Sequence, residues 1–475
     1  MTLLHDLTAL EAAAAVRRRE VSPVELVDHA LDRIDRLDGQ LGAFVTVTGE
    51  SARAQAKAFE QGVVNAGDDA EWLPPLFGVP TAIKDLNLTK GVPTKLGSAA
   101  FRDFVPDIDD HVVELLRGAG TISLGKTATP EFGLPCYTET DIGPPARTPW
   151  DTTRLAGGSS GGAAAAVAGG FVPFAQGSDG GGSIRIPASC CGLVGLKPAR
   201  GRVSKGPMDI DSSRLAVFGP LARTVRDAAA FLDAVAIPQP GDPDPLPSPA
   251  ETFLSACDRE PGRLRIGRFI DPPIEAEIDP QVRAAWQQAS ELLERLGHDV
   301  VDIESPVPRA AVPAFETVWS VSAHTAPVDP AHEPALRPLT RHLRERGAKV
   351  SGPQYAQAMG TLGQLSRRAI AATSHLAAVL TPTLAMLPRP VGWFDADAYP
   401  AADFERQKRF TPFTAVVNAT GQPAISLPLY QSAEGLPIGI MLIGRPADEA
   451  TLLRLGAQLE AAEPWRDRHP AIWTA

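Results

Sequence analysis

Apolar and polar residues alternate with a helical period over residues 22–39, SPVELVDHALDRIDRLDG. Ser22 is a suitable N-cap, Pro23 fits the first helical position, and Glu25 completes a capping box three residues after the cap. Gly39 is a residue that favours a helix end. The pattern therefore predicts an amphipathic helix that begins after Ser22 and ends at Gly39.

Short apolar runs and helical patterns also follow one another elsewhere. The run GVPTAIKD (78–85) predicts a strand, HVVELLRG (111–118) a helix closed by a glycine turn, and TISLGKT (121–127) a buried strand. This alternation indicates a chain that mixes helices with a sheet.

A second series of the same kind lies later in the chain. A strand is predicted within 263–270, a helix that opens at Asp279-Pro280 comes next, and HDVVDI (298–303) predicts the following strand. Two further apolar strands are predicted at 422–429 and 437–444. The strand–helix–strand order is βαβ-like and favours a sheet with parallel character.

Two regions interrupt these patterns. The proline-rich stretch PQPGDPDPLPSP (238–249) predicts a loop or linker. Residues 305–410 are rich in Pro, Ala and Arg and predict helices and loops without a recognisable motif.

The composition suits a compact, loop-rich enzyme. Apolar residues make up 44% and charged residues 21% of the 475 residues, with 42 glycines and 45 prolines. The formal net charge of −11 disfavours nonspecific binding to nucleic acid or to anionic membranes. The chain shows neither a signal-peptide pattern nor an apolar run of about 18 residues, so we expect a cytoplasmic location and no membrane partner.

Cysteine and histidine usage gives no metal or disulfide pattern. Four scattered cysteines are too few for a disulfide scaffold, and the adjacent Cys190 and Cys191 are expected to be buried packing residues. The nine histidines show no HExxH or comparable ligand spacing. We therefore expect no metal site.

The candidate chemistry lies in two glycine-rich clusters. Ser159 lies in GGSSGG, just before an alanine-rich helix predicted at 163–168, and Ser183 lies in SDGGGSIRIP. Glycines let the backbone approach a substrate and leave N–H groups free to bind an oxyanion. The sequence around Ser183 could thus supply both a nucleophile and its donors.

Other interpretations of these clusters compete with catalysis. Either cluster could be a simple turn, whereas a phosphate-binding loop would need a GK[ST] or GxGxxG pattern that is absent. Residues 157–161 formally match GxSxG, the nucleophile elbow of α/β-hydrolases. That elbow requires a strand immediately before it, and the preceding RTPWDTTRLA is broken by proline and polar residues.

A serine nucleophile needs a base, and no histidine is singled out by the sequence. Lys84 ends the apolar run GVPTAI, and burial would lower its pKa towards neutrality because desolvation disfavours the charged form. A lysine flanked by apolar residues can equally lie at a strand edge with its head in water. Lys84 is the best local candidate for a base.

Taken together, these residues resemble the amidase-signature family. Residues 157–188 match the family's long serine- and glycine-rich signature, and CGLVGLKPARGRVS, GVPTAIKD, NATGQPAISLPL and LPIGIMLIG resemble family blocks in family order. The resemblance is dense over about residues 70–225 and looser over the C-terminal 60 or so. It implies one domain over 1–475, an α/β fold with a central mixed, largely parallel twisted sheet covered by helices, and a variable substrate-pocket region at about 305–410.

The resemblance also implies the roles of individual residues in a Ser–cisSer–Lys triad. Ser183 would be the nucleophile, Ser159 the bridging serine in a cis peptide, and Lys84 the base. The remaining residues follow from the motif positions: Gly180, Gly181 and Gly182 for the oxyanion hole, Ser160, Asp179 and Arg185 for support of the motif, and Gly133, Cys136, Thr138 and Trp319 for the substrate pocket. The implied reaction is hydrolysis of a small-molecule amide through an acyl-enzyme, with no metal or organic cofactor.

Two other functions remain open at this point. The glutaminase subunits of tRNA-dependent amidotransferases share the triad, but they usually carry Thr where this chain has Gly180 and a KPTYGRVSR-like block where it has KPARGRVSKG. A catalytically inactive relative is the other alternative, which the intact triad disfavours. The segments GSDGGGSIRIP and RTPWDTTR resemble those of the branch of acylamidases and nylon cyclic-dimer hydrolases. The sequence does not decide whether the protein forms a homodimer.

Overall fold

The computed structural model describes residues 3–208, 211–394 and 398–475, with the side chain of Asp68 left out. Its strands are β1 (Phe44–Val47), β2 (Pro80–Lys84), β3 (Ile122–Thr127), β4 (Phe174–Asp179), β5 (Val194–Lys197), β6 (Val217–Ala222), β7 (Arg265–Arg268), β8 (Asp299–Asp302), β9 (Ala378–Pro382), β10 (Ala424–Gln431) and β11 (Pro437–Gly444).

The helices surround these strands. They are α1 (Ala9–Arg17), α2 (Pro23–Leu41), α3 (Gly49–Ala66), α4 (His111–Gly118), α5 (Gly161–Ala168), α6 (Arg185–Cys191), α7 (Val225–Val235), α8 (Phe253–Ala256), α9 (Pro280–Arg295), α10 (Ala311–Thr325), α11 (Pro338–Ala348), α12 (Gly352–Thr373), α13 (Pro400–Phe410), α14 (Ala415–Thr420) and α15 (Glu449–Ala462). None of the helices in the described ranges is long and apolar enough to cross a membrane.

One eight-stranded sheet forms the centre, in the order β4-β6-β5-β10-β11-β9-β7-β8. The predicted α/β fold with a mixed sheet is confirmed, but the expectation of a largely parallel sheet is wrong. In the described part of this sheet only β7 pairs in parallel, with β8 and with β9, and the other neighbouring pairs are antiparallel. The β7–α9–β8 unit agrees with the sequence prediction, whereas the β4–β6 and β9–β11 pairs join segments that are distant in the chain.

A smaller sheet, in the order β1-β3-β2, lies beside the large one. Its β2 runs parallel to β3. The hydroxyl of Thr81 on β2 donates to the carbonyl of Phe174 on β4 at 3.2 Å. This contact joins the N-terminal ends of β2 and β4 where the two sheets meet.

Several helix boundaries follow from local chemistry. At α2 the side chains of Ser22 and Glu25 form the predicted capping box, but the helix continues past Gly39 to Leu41 and ends at Gly42, whose φ of +62° is left-handed. The amphipathic face of α2 continues to Leu41, and this burial outweighs the poor helix propensity of Gly39. At α9, Asp279 caps the N-terminus as predicted, its carboxylate accepting from the N–H of Gln281.

The alanine-rich helix α5 is buried along its whole length. Its second residue, Gly162, lies so close to the main chain of Ala43 and Ala128 that an added Cβ would be 2.5 Å from the Ala43 oxygen. The N–H of Gly162 donates to the carbonyl of Ala128 at 3.0 Å. Small residues thus let the N-terminus of α5 pack directly on the backbone beside β3.

We expect Gly162→Ala to destabilise the protein, because overpacking against fixed backbone typically costs about 1–3 kcal/mol. Gly360→Ala on the exposed face of α12 is the matched control, since an added Cβ there meets nothing within 4 Å. Its better helix propensity should raise stability by up to about 1 kcal/mol. Thermal denaturation midpoints measure both, and equal midpoints for the two variants would contradict this explanation of α5 packing.

Candidate active site

Three segments meet where β2 and β4 end. Lys84 is the last residue of β2, Ser159 lies just before α5, and Ser183 follows the turn that links β4 to α6. The backbone N–H of Lys84 donates to the side-chain oxygen of Gln176 on β4 at 3.0 Å. This contact fixes the end of β2 against β4.

Lys84 is fully buried, and its ammonium group has two hydroxyl partners. Its Nζ lies 2.7 Å from Oγ of Ser159 and 2.9 Å from Oγ of Ser178. No carboxylate of the described chain forms an ion pair with it. Burial lowers the pKa of Lys84 to about 7, although the nearby charge of Asp179 acts in the opposite direction.

Ser159 follows a cis peptide bond with Gly158, as the resemblance predicts. The segment that contains Gly133 and Tyr137 packs closely against this peptide. A Cβ added to Gly133 would lie 3.1 Å from Oγ of Ser159, and one added to Gly158 would overlap the main chain of Tyr137. Ser159 is therefore enclosed between Lys84 and the loop that begins at Gly133.

Ser183 is tied to the same region through its backbone. Its carbonyl accepts from the N–H of Ser160 at 3.1 Å, and the Ser160 hydroxyl in turn donates to the carbonyl of Ser178 at 3.2 Å. The Ser183 side chain lines a cavity. Across the described ranges its hydroxyl makes no hydrogen bond, so no direct bond joins it to Ser159 in this conformation.

Asp179 and Arg185 form a fully buried ion pair behind the turn. Arg185 donates to both carboxylate oxygens, at 2.8 and 2.9 Å. Burial acts to raise the pKa of Asp179, but the charge and hydrogen bonds of Arg185 hold it below its usual range. Asn418 joins this pair, because its Nδ2 donates to the Asp179 carboxylate at 2.9 Å and its Oδ1 accepts from Arg185 at 2.7 Å.

The glycine turn is held at its third glycine. The N–H of Gly182 donates to Asp179 at 2.8 Å, so in this conformation it is not available to a substrate. The N–H groups of Gly180, Gly181 and Ser183 have no partner among the residues that the structure describes. Of these three residues, Gly181 and Ser183 line the cavity.

The cavity beside Ser183 has a volume of about 110 Å³. The rings of Phe315 and Trp319 form one wall, stacked with centroids 5.6 Å apart, and Trp319 lies over Gly180 and Gly181. Most of the remaining lining is aliphatic. The two charged side chains on the lining, Glu316 and Lys408, form an ion pair with each other.

The predicted pocket residues divide into two groups. Cys136 and Trp319 line the cavity, whereas Gly133 contacts Ser159 instead. Thr138 is buried behind the loop and donates to the carbonyl of Gly157 at 2.9 Å, away from the lining. The residues next to Gly133, Leu134 and Pro135, line the cavity in its place.

Sequence reasoning missed several side chains of this site. Ser178 shares a face of β4 with Gln176 two residues earlier, and strand periodicity alone could have placed it beside Lys84. Asn418 lies in the quoted block NATGQPAISLPL, but its contact with Asp179 spans more than two hundred residues. No local pattern signals such a partner.

The expected burial of the adjacent cysteines is confirmed, with Cys190 and Cys191 at 1% and 0% exposure. Burial raises the pKa of both thiols. Within the described ranges no three His, Cys, Asp or Glu side chains converge in a way that could hold a metal ion.

A protein-family model and several known proteins match this chain over most of its length. A model of the Amidase family matches residues 25–453. The chain is 40% identical to a putative amidase, AmiB2, of Mycobacterium tuberculosis, over 98% of this chain and 99% of that one. It is also 36% identical to one component of the glutamyl-tRNA(Gln) amidotransferase of a Synechococcus strain, over 95% and 96% of the two chains.

Solved structures are similar over the whole length. The structure of a 6-aminohexanoate cyclic dimer hydrolase complexed with substrate matches with a TM-score of 0.90 and 30% identity, over 99% of both chains. A bacterial aryl acylamidase of the amidase-signature enzymes matches with a TM-score of 0.87 and 27% identity, over 97% of both chains.

We expect Lys84→Met to stabilise the fold, because it removes a buried amine that is protonated only at a cost. Since the pKa of Lys84 is about 7 in the native state and about 10.4 in an unfolded chain, the native state binds this proton more weakly. The wild type should therefore lose stability as the pH falls from about 10 to about 7, and the variant should not. The gain should be a few kcal/mol at pH 6.5 and smaller at pH 9.5.

Thermal denaturation at the two pH values measures this difference. Lys57→Met on the exposed surface of α3 is the control and should show the same small effect at both. A stability gain for Lys84→Met that is unchanged or larger at pH 9.5 would mean that burial does not lower the pKa of Lys84.

Proposed function

This chain belongs to the Amidase family and is an amide hydrolase, and we propose that it acts through an acyl-enzyme formed on Ser183. The observation that carries this proposal is the buried amine of Lys84, hydrogen-bonded to Ser159 beside the turn that presents Ser183 to the cavity. A pKa of about 7 leaves a substantial fraction of this amine neutral at neutral pH. A neutral amine can accept a proton, which an ordinary lysine cannot do at that pH.

The first step makes Ser183 nucleophilic. Its proton passes to Ser159 while the proton of Ser159 passes to Lys84, and the Ser183 oxygen forms a bond to the amide carbon. Because no hydrogen bond joins the two hydroxyls here, the step requires rotation of the Ser183 side chain towards Ser159. Such catalytic contacts commonly tighten only when a substrate is bound.

The negative oxygen formed by this attack needs donors. We assign these to the N–H groups of Gly180, Gly181 and Ser183, and not to Gly182, whose N–H donates to Asp179. Donors that are already oriented stabilise a developing charge without reorganisation, and the loss of one typically costs about 3–4 kcal/mol of barrier.

The intermediate then loses its amine. Cleavage of the C–N bond releases ammonia or an amine, which takes the proton held by Lys84 back through Ser159. A water molecule next attacks the acyl-enzyme, with Lys84 and Ser159 again accepting and returning the proton. Free acid and free Ser183 are the result.

The cavity favours uncharged amides with an apolar or aromatic group. A flat ring would contact the stacked Phe315 and Trp319, and desolvation of such a group stabilises the complex. Glutamine, the substrate in the alternative amidotransferase function, carries a charged α-ammonium group and a charged α-carboxylate group. The charges of Glu316 and Lys408 are already paired, so on the described lining they offer no unpaired counter-charge to glutamine.

We expect kcat/KM for 4-nitroacetanilide to rise about tenfold per pH unit below pH 7 and to level off above it. The reason is that only neutral Lys84 accepts the proton, and its pKa is about 7. Initial rates between pH 5.5 and 9 measure this profile. A kcat/KM that is constant through this range, or that falls with rising pH, would exclude Lys84 as the base.

We also expect the protein to hydrolyse 4-nitroacetanilide faster than L-glutamine and to be labelled by a fluorophosphonate. Ser183→Ala should lose both the labelling and at least about a thousandfold in kcat, since it removes the nucleophile itself. Release of nitroaniline measures hydrolysis of 4-nitroacetanilide, and release of ammonia measures hydrolysis of L-glutamine. The mass of the intact protein measures labelling by the fluorophosphonate.

The matched control is Ser212→Ala, at an exposed serine outside the cavity lining, which should keep labelling and activity. Labelling that persists in Ser183→Ala would assign the nucleophile elsewhere. An unlabelled, inactive wild type would favour the inactive-relative alternative, and faster hydrolysis of L-glutamine, with partner chains that copurify, would favour the amidotransferase alternative.

A further inference from the structure

The glycine turn before Ser183 is held from outside by a residue far along the chain. The hydroxyl of Thr414, just before α14, donates to the carbonyl of Gly181 at 2.7 Å. An alternative acceptor, the carbonyl of Thr411, is more distant at 3.4 Å. Since a hydroxyl has one proton to donate, the bond to Gly181 is the favoured one.

This bond completes the restraint of a single peptide group. The peptide between Gly181 and Gly182 has its carbonyl bound by Thr414 and its N–H bound by Asp179 at 2.8 Å. A peptide group is planar, so restraint at both ends fixes its orientation. The N–H groups of Gly181 and Ser183 belong to the two adjoining peptide groups, which are joined to this one through the backbone dihedrals of Gly181 and Gly182.

Thr414 also fills the space beside the turn. Gly182 has a φ of +131°, which side-chain-bearing residues rarely adopt, and an added Cβ would overlap the side chain of Thr414. The two residues are therefore in direct contact, which leaves the turn no room to move towards α14.

The buried ion pair fixes Thr414 in turn. Arg185 donates to the carbonyl of Thr414 at 3.0 Å, and Asn418, one helical turn further on, bonds both Arg185 and Asp179. Thr414 is fully buried. Its hydroxyl is held at the turn by contacts that do not involve a substrate.

The same segment forms a wall of the cavity. Thr411, Pro412, Ala415 and Val416 line it on either side of Thr414. A substrate that packs on this wall thus contacts the neighbours of the residue that restrains the turn.

We propose that Thr414 is a positioning residue for the oxyanion donors: its hydroxyl, through the carbonyl of Gly181, holds the N–H groups of Gly181 and Ser183 in the orientation that binds the negative oxygen. This inference rests on the proposed acyl-enzyme mechanism. It assigns to Thr414 an effect on the transition state and not on substrate binding, because Thr414 itself is not on the cavity lining.

The test is Thr414→Val, which keeps the shape of the side chain and removes the donor. With 4-nitroacetanilide we expect kcat to fall about a hundredfold, as for the loss of one oxyanion donor, and KM to change less than about threefold. The inhibition constant of an aryl trifluoromethyl ketone, whose adduct with Ser183 carries the same negative oxygen, should rise by a similar factor. Thr414→Ser should restore both values to within about threefold of the wild type.

The matched control is Thr420→Val on α14, which removes a hydroxyl bonded only locally, to the carbonyl of Val417 at 3.2 Å and from the N–H of Gln422 at 3.4 Å. It should keep wild-type kcat and ketone affinity. Should the Thr414→Val protein not fold, as judged by circular dichroism, Thr414→Ala replaces it in the same assays.

A Thr414 variant with wild-type kcat, or one whose loss lies in KM alone, would overturn this inference while leaving the acyl-enzyme proposal intact. An equal loss in Thr420→Val would overturn it as well. Full activity in Ser183→Ala, measured alongside, would instead overturn the acyl-enzyme mechanism.

Discussion

The proposed mechanism depends on one hydrogen bond in the protein interior, from the amine of Lys84 to the hydroxyl of Ser159 at 2.7 Å. A charged amine is costly to bury, and here hydroxyl groups rather than a carboxylate surround it. The nearby carboxylate of Asp179 forms a separate buried ion pair with Arg185. Burial lowers the pKa of Lys84 to about 7, against the opposing charge of Asp179, and the proposed mechanism requires an amine that is partly neutral in this way.

Two separate regions of the chain contribute different parts of the site. The segment from β2 to α6 supplies the amine, both serines and the glycine turn, and it includes the fully buried helix α5. The later segments, α10 and the α13–α14 region, supply the aromatic and aliphatic cavity wall. Through Thr414 and Asn418 the later segment also reaches the turn and the buried ion pair.

Sequence reasoning was strongest where structure is set locally or by a long motif. The capping box of α2, the β7–α9–β8 unit and the contact between Lys84 and Ser159 could be anticipated. The antiparallel pairing that dominates the large sheet and the central strand β9 could not, because strand partners are chosen between distant segments. The same holds for Thr414, whose contact with Gly181 bridges two segments without any shared pattern.

The most direct test of the central claim is the charge of Lys84 itself. An NMR titration of protein labelled with ¹³C at the lysine ε-carbon, with the signal assigned by its loss in a Lys84 variant, reports the protonation of this one amine. We expect a midpoint near pH 7, well below that of a solvent-exposed lysine. A Lys84 signal that stays in its protonated position up to pH 9 would contradict the claim that this amine is the base.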